Sequence, residues 1–144
     1  MKILFCTSNK IGARGIRLVT WSSFSHVCII DGQDVIEAVW PKVKVTPLGE
    51  VLNNHIHHAI VDIPSNDESV LVAARSQIGK KYDLTGMLGL SLHRDWQDDS
   101  AWWCSELVAW ALQQGGTKLF RDEVMHRVTP QDLWKLNYKL VERG

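Results

Sequence analysis

An excess of charge of either sign is absent from this chain: 16 basic side chains balance 16 acidic ones across 144 residues, for a formal net charge of zero. Without a long-range field, nucleic acid and anionic lipid are not its default partners, although a local basic patch is compatible with the sum. Cysteine is scarce. The three thiols, Cys6, Cys28 and Cys104, cannot all pair, and their spacing fits neither a zinc nor a disulfide framework, which points to a reducing compartment. Long apolar runs are missing as well, since no segment approaches the roughly 18 residues of a membrane span. The run Ile3-Leu4-Phe5-Cys6 is too short for the core of a signal peptide, so the chain is expected to be cytoplasmic as synthesised. With 10 glycines and 4 prolines, disorder and a collagen repeat are excluded. What remains is a chain 45% apolar, able to hide about two thirds of its unfolded surface in one domain spanning residues 1–144.

Patterning then places the elements. Residues 2–7 read as a short buried strand, and the polar stretch after Asn9, carrying Ile11, Ile16 and Val19, as a glycine-weakened helix. Residues 25–30 and 35–40 are β-rich runs around Asp31-Gly32-Gln33-Asp34, a hairpin turn in which glycine supplies the positive φ. Further strands cover 42–46 and 59–63, the first preceded by Pro41 and the second closed by Pro64. Behind the cap residues Ser65, Asn66 and Asp67, Val70, Leu71, Ala74 and Ile78 fall on one helical face that Gly79 ends. A short helix is expected over 84–92. Cys104, Leu107, Val108, Ala111 and Leu112 make the stripe of a helix packed on a sheet, stopped by Gly115 and Gly116. Thr129-Pro130 joins an N-cap to a first-turn proline, starting a last helix that runs to about Leu136. Strands precede helices, so the fold class is α+β, an antiparallel sheet packed against helices. The seven tryptophans are expected as core or groove wall.

A cysteine opening an amphipathic helix, combined with a histidine in a strand far upstream, is the informative pair. A thiol attacks a carbonyl as thiolate, and a helix N-terminus places partial positive charge and unbonded N–H groups beside it. With Cys104 in the first turn, its own amide and that of Ser105 point where a tetrahedral oxyanion develops. His26 is the general base if its strand lies against that helix end. A turn centred between Gly32 and Gln33 pairs Ile30 with Val35 and, by continuation, Cys28 with Glu37 and His26 with Val39. Glu37 is then diagonal to His26, about 7 to 8 Å between backbones, a gap the two side chains can close. A carboxylate there fixes the tautomer and stabilises the imidazolium, whereas a one-residue bulge would turn it to solvent.

Taken in order, Ser25-His26-Val27-Cys28-Ile29-Ile30, Val35-Ile36-Glu37-Ala38, Gly79-Lys80-Lys81-Tyr82-Asp83, Trp103-Cys104-Ser105-Glu106-Leu107-Val108 and Thr129-Pro130-Gln131-Asp132-Leu133 resemble the circularly permuted branch of the NlpC-type papain-like cysteine hydrolases, in which histidine precedes cysteine. The resemblance implies a papain-like α+β core with Cys104 as nucleophile, His26 as base and Glu37 as the polar third residue. It also implies scission of an amide or ester bond in a peptide, amide or acyl substrate, with no cofactor. Tyr82 is placed to bond substrate or oxyanion, and Trp103 to wall the groove.

Each of these residues has a structural alternative. Cys104 shares its stripe with Leu107 and Ala111 and could be core, like Cys6 and Cys28. His26 could be a core histidine bonded to a backbone carbonyl, Tyr82 a packing residue, and Glu106 a first-turn acid that complements the helix dipole and stays outside the site. In His55-Ile56-His57-His58 a strand would set His55 and His57 on one face, but zinc wants a third protein ligand and none stands at a familiar spacing, so a solvated turn is expected and no metal site. Three other functions stay open: an acyltransferase, although Trp103 and Glu106 stand where the vertebrate lipid-acyltransferase branch has Asn and His; a non-catalytic binding module; and a His-metal protein.

Overall fold

Strands buried on both faces read as unbroken apolar runs rather than alternating ones, and the first half of the chain is built from such runs. The computed structural model describes residues 1–7, 23–83, 101–136 and 138–144. Here β1 (Lys2–Thr7), β2 (His26–Asp31), β3 (Asp34–Val39), β4 (Lys42–Pro47), β5 (His57–Asp62), β6 (Lys81–Tyr82), β7 (Ala101–Trp102) and β8 (Lys139–Arg143) form one eight-stranded sheet in the order β7-β6-β4-β3-β2-β1-β5-β8. Its helices are α1 (Leu48–Asn53), α2 (Asp67–Ser76), α3 (Cys104–Gln114) and α4 (Pro130–Trp134), with a 3-10 turn over Asp122–Arg127.

The period-2 alternation of strand side chains sorts the apolar residues into two cores. Ile3, Phe5, Val27, Ile29, Ile36 and Ala38 pack with Val70 and Ala74 of α2 and with Leu107, Val108, Ala111 and Leu112 of α3. Their neighbours Leu4, Cys6, Cys28, Ile30 and Val35 form a second cluster with Val51, against which Leu48 and Leu52 of α1 pack. The first hairpin forms as its turn chemistry requires: Gly32 has φ 64°, and Asp31, Ile30 and Ile29 pair with Asp34, Val35 and Ile36. Asn66 caps α2 by accepting from the Ser69 amide, and Thr129 and Asp132 cap α4 reciprocally, with Pro130 in the first turn.

The mixed α+β class stands, with two corrections. The sheet is not wholly antiparallel: β6 and β7 run parallel, Lys81 beside Ala101 and Tyr82 beside Trp102, and strands of two residues leave no periodicity to read. The histidine run is not a solvated turn, because His57 and His58 open β5 opposite Thr7 and Cys6. The helix expected to carry Ile11, Ile16 and Val19 and the one expected over 84–92 lie outside the described residues. Among the described residues no helix is long and apolar enough to cross a membrane.

Candidate active site

Register fixes the face on which each site residue stands. Val35 and Cys28 both belong to the cluster under α1, so the side of β3 that carries Glu37 and the side of β2 that carries His26 coincide. There Nε2 of His26 lies 2.7 Å from Oε2 of Glu37, and both side chains are buried. A carboxylate can only accept, so Nε2 carries its hydrogen and Nδ1 is the ring nitrogen left for other partners. The next hairpin supplies the support. Glu37 faces Lys44 directly and Val35 faces Thr46; the Thr46 hydroxyl donates to Oε1 of Glu37 at 2.6 Å, and the Lys44 ammonium is 3.9 Å from that oxygen. Burial by itself would raise the Glu37 carboxyl. The hydrogen bond and charge of His26, the Thr46 hydroxyl and the Lys44 ammonium outweigh it and hold Glu37 below the usual carboxylate range.

The other half of the site arrives from the far edge of the sheet. The Asp83 amide donates to Trp102 O at 2.9 Å, tying β7 to β6, and the chain turns through the extended Trp103 into α3. As N-cap, Trp103 provides no side-chain hydrogen bond to the first turn, where the amides of Cys104 and Ser105 stand. The Ser105 hydroxyl donates to Val128 O at 2.6 Å and so pins the start of α3 to the segment that precedes α4. Cys104 is 4% exposed and packs in the helix-side core, near enough to His26, the first residue of β2, to perturb its imidazole. Burial pulls His26 down, but the neighbouring Cys104 and Cys28 thiols and the Glu37 carboxylate push it well above the usual imidazole value. Glu106, assigned to the dipole, is buried in the same turn.

Around this core the structure sorts the remaining candidates. Tyr82 is half-buried in β6, its phenol pushed up by burial and then by the charge of Cys104, with His26 pulling the other way, so it lies within electrostatic reach of both. Trp103 is buried, and its indole N–H has no hydrogen-bond partner among the described residues. Cys28 sits against His26, yet its thiol donates to Leu4 O at 3.8 Å and burial raises its pKa. Cys6 is pushed up to about 12, by burial first and by Cys28 next.

Sequence reasoning stopped at Glu37. Thr46 and Lys44 were within reach of the same counting, because the two-residue loop Trp40-Pro41 pairs Val39 with Lys42 and so sets Lys44 opposite Glu37. His55, which the sequence offers as a metal ligand or part of a solvated turn, instead faces the site. Its Nδ1 lies 2.6 Å from Val51 O, and its ring stacks on that of His26 with centroids 6.1 Å apart and planes 13° from parallel.

No family model matches the chain, and no curated protein matches it. Among solved structures, the crystal structure of metalloprotein yiiX from Escherichia coli O157:H7, DUF1105, has a TM-score of 0.78 at 20% identity over 99% of this chain and 96% of that one. At that identity the likeness is one of fold. It overturns the resemblance to the permuted NlpC-type papain-like hydrolases: the whole-chain match is to a DUF1105 protein, and the segments that suggested the hydrolases are a strand hairpin, a helix start and a cap too short to separate families. The neighbour is a metalloprotein; among the described residues of this chain no three His, Cys, Asp or Glu side chains are grouped to hold a metal ion. Nδ1 of His55 is bonded to Val51 O, His57 is exposed, and His58 bonds Glu142 at 3.1 Å.

Proposed function

We propose that the chain is a thiol hydrolase that cleaves an amide or ester bond of a peptide, amide or acyl substrate through an acyl-enzyme on Cys104. The observation that carries the reading is the buried His26–Glu37 pair, 2.7 Å apart and within electrostatic reach of Cys104, which opens a helix that no side chain of its N-cap closes. As Sγ of Cys104 attacks the carbonyl carbon, its proton passes to Nδ1 of His26, and the carbonyl π electrons move to the oxygen. The amides of Cys104 and Ser105 receive that oxyanion. Collapse restores the carbonyl and breaks the bond to the leaving nitrogen or oxygen, which takes the proton from His26. Water then adds to the thioester with its proton going to His26; collapse breaks the C–S bond, releases the carboxylic acid, and the proton on His26 returns to Sγ of Cys104. Glu37, held charged by Thr46 and Lys44, keeps Nε2 protonated and steadies the imidazolium throughout.

The test uses p-nitrophenyl acetate as acyl donor and reads intact and peptide mass. An acetyl adduct on Cys104 is expected, with Cys104→Ala and His26→Ala each slowing turnover roughly 10²- to 10⁴-fold and the double variant hardly worse than either, since base and nucleophile act as one unit. An adduct on Cys6 or Cys28, or losses that simply multiply, would overturn the assignment.

A further inference from the structure

Glu37 holds the His26 imidazole at Nε2, an in-plane contact that does not by itself fix the tilt of the ring. The loop between α1 and β5 supplies a second restraint. The His55 amide donates to Leu52 O at 3.3 Å and the Ile56 amide to Thr7 O at 2.9 Å, so the backbone on both sides of the His55 side chain is tied to α1 and to the end of β1. The His55 ring is itself oriented: Val51 O can only accept, so Nδ1 of His55 carries the hydrogen across that 2.6 Å contact. Held this way, the ring lies nearly parallel to that of His26, within the separation of offset-stacked aromatic pairs.

We propose that His55 is a positioning residue: clamped by Val51 and stacked on His26, it fixes the plane in which the His26 imidazole meets Glu37 through one nitrogen and Cys104 through the other. The inference rests on the thiol-hydrolase reading and adds to it a residue that touches neither substrate nor nucleophile. Its consequence is electrical as well as steric. His26 is faced by Cys104 from α3, Cys28 from its own strand, Glu37 from β3 and, at longer range, Cys6 from β1 and Tyr82 from β6. His55 is the cation-forming side chain stacked on it, so a charged His55 opposes the imidazolium whereas a neutral ring supports it.

The experiment measures the rate of Cys104 alkylation by iodoacetamide against pH, together with the NMR titration of His26, in the wild type, His55→Ala, His55→Phe and His26→Ala. His55→Ala is expected to slow alkylation of Cys104 roughly 2- to 10-fold, the range that a stacked aromatic pair supports, and to lower the His26 titration midpoint. His55→Phe keeps the ring without the bond to Val51, and should recover most of the rate and the midpoint. A role confined to stability would lower the unfolding midpoint of His55→Ala and leave both pH curves in place, which would overturn the inference. If His55→Ala does not fold, the Phe variant decides alone, because loss of the His26 midpoint in a folded protein that retains the stack contradicts it. Fast Cys104 labelling that His26→Ala abolishes and His55→Ala leaves untouched sinks the positioning role and spares the hydrolase. Labelling insensitive to His26 sinks both.

Discussion

Glu37 has both carboxylate oxygens engaged, one by a ring N–H and one by a hydroxyl, and that double hold makes a buried acid tolerable. Its depressed pKa and the raised pKa of His26 carry opposite signs in the pH dependence of folding. The Glu37 contribution is present above the ordinary value of 4.5 and fades as pH falls through the depressed folded value. The His26 contribution is complete below the ordinary value of 6.5 and fades as pH rises through the raised folded value. The pair therefore stabilises most between the two ordinary values, 4.5 and 6.5. Glu37→Gln preserves size and removes the charge, and near pH 6 it is expected to lower stability by roughly 1–3 kcal/mol. It should also erase the acid limb, move the basic limb down toward 6.5, and slow acylation of Cys104. Urea denaturation across pH checks the first effects and stopped-flow acylation the last; a curve that superimposes on the wild type would show that Glu37 is not the partner of His26. The His26–Glu37 diagonal was legible because one turn sets the register. Thr46 and Lys44 needed a second register count, and His55 needed the path of α1, which is invisible in the sequence.

At the scale of elements, the contact between α2 and α3 depends on a residue whose reason is spatial. Gly115 reads as a helix stop, but its φ of −79° suits any residue, and the positive φ of 85° belongs to Gly116. A Cβ on Gly115 would collide with Cγ2 of Val70 and come within 3.2 Å of Asn66 O, whose own amide donates to Gly115 O. Gly115→Ala is expected to destabilise by about 1–3 kcal/mol through overpacking, and Val70→Ala in the same chain should recover part of that loss, a coupling that a double-mutant cycle in urea measures. Additive losses would place the clash elsewhere. Helices α2, α3 and α4 were readable because each has an apolar stripe or a cap. Six residues after a proline in α1, two residues in each of β6 and β7, and five exposed positions in β8 carry no such signal.

Across the whole molecule, the sheet separates two cores: His26 and Glu37 stand on the side covered by α1, while Cys104 starts the helix that packs on the other. The pairing of His26 with Glu37 was thus readable from residue order, whereas family was not, because a histidine in a hairpin before a cysteine at a helix start is compatible with more than one lineage. All three thiols are buried, so accessibility alone does not rank them. Burial drives Cys6 to about 12 and raises Cys28, and only Cys104 couples a helix N-terminus to His26. The decisive measurement is competitive labelling of the folded protein with iodoacetamide near neutral pH, with each thiol quantified by peptide mass. Cys104 is expected to react first and to slow sharply in His26→Ala, whereas equal labelling of the three cysteines, or a Cys104 rate indifferent to His26, would contradict the account.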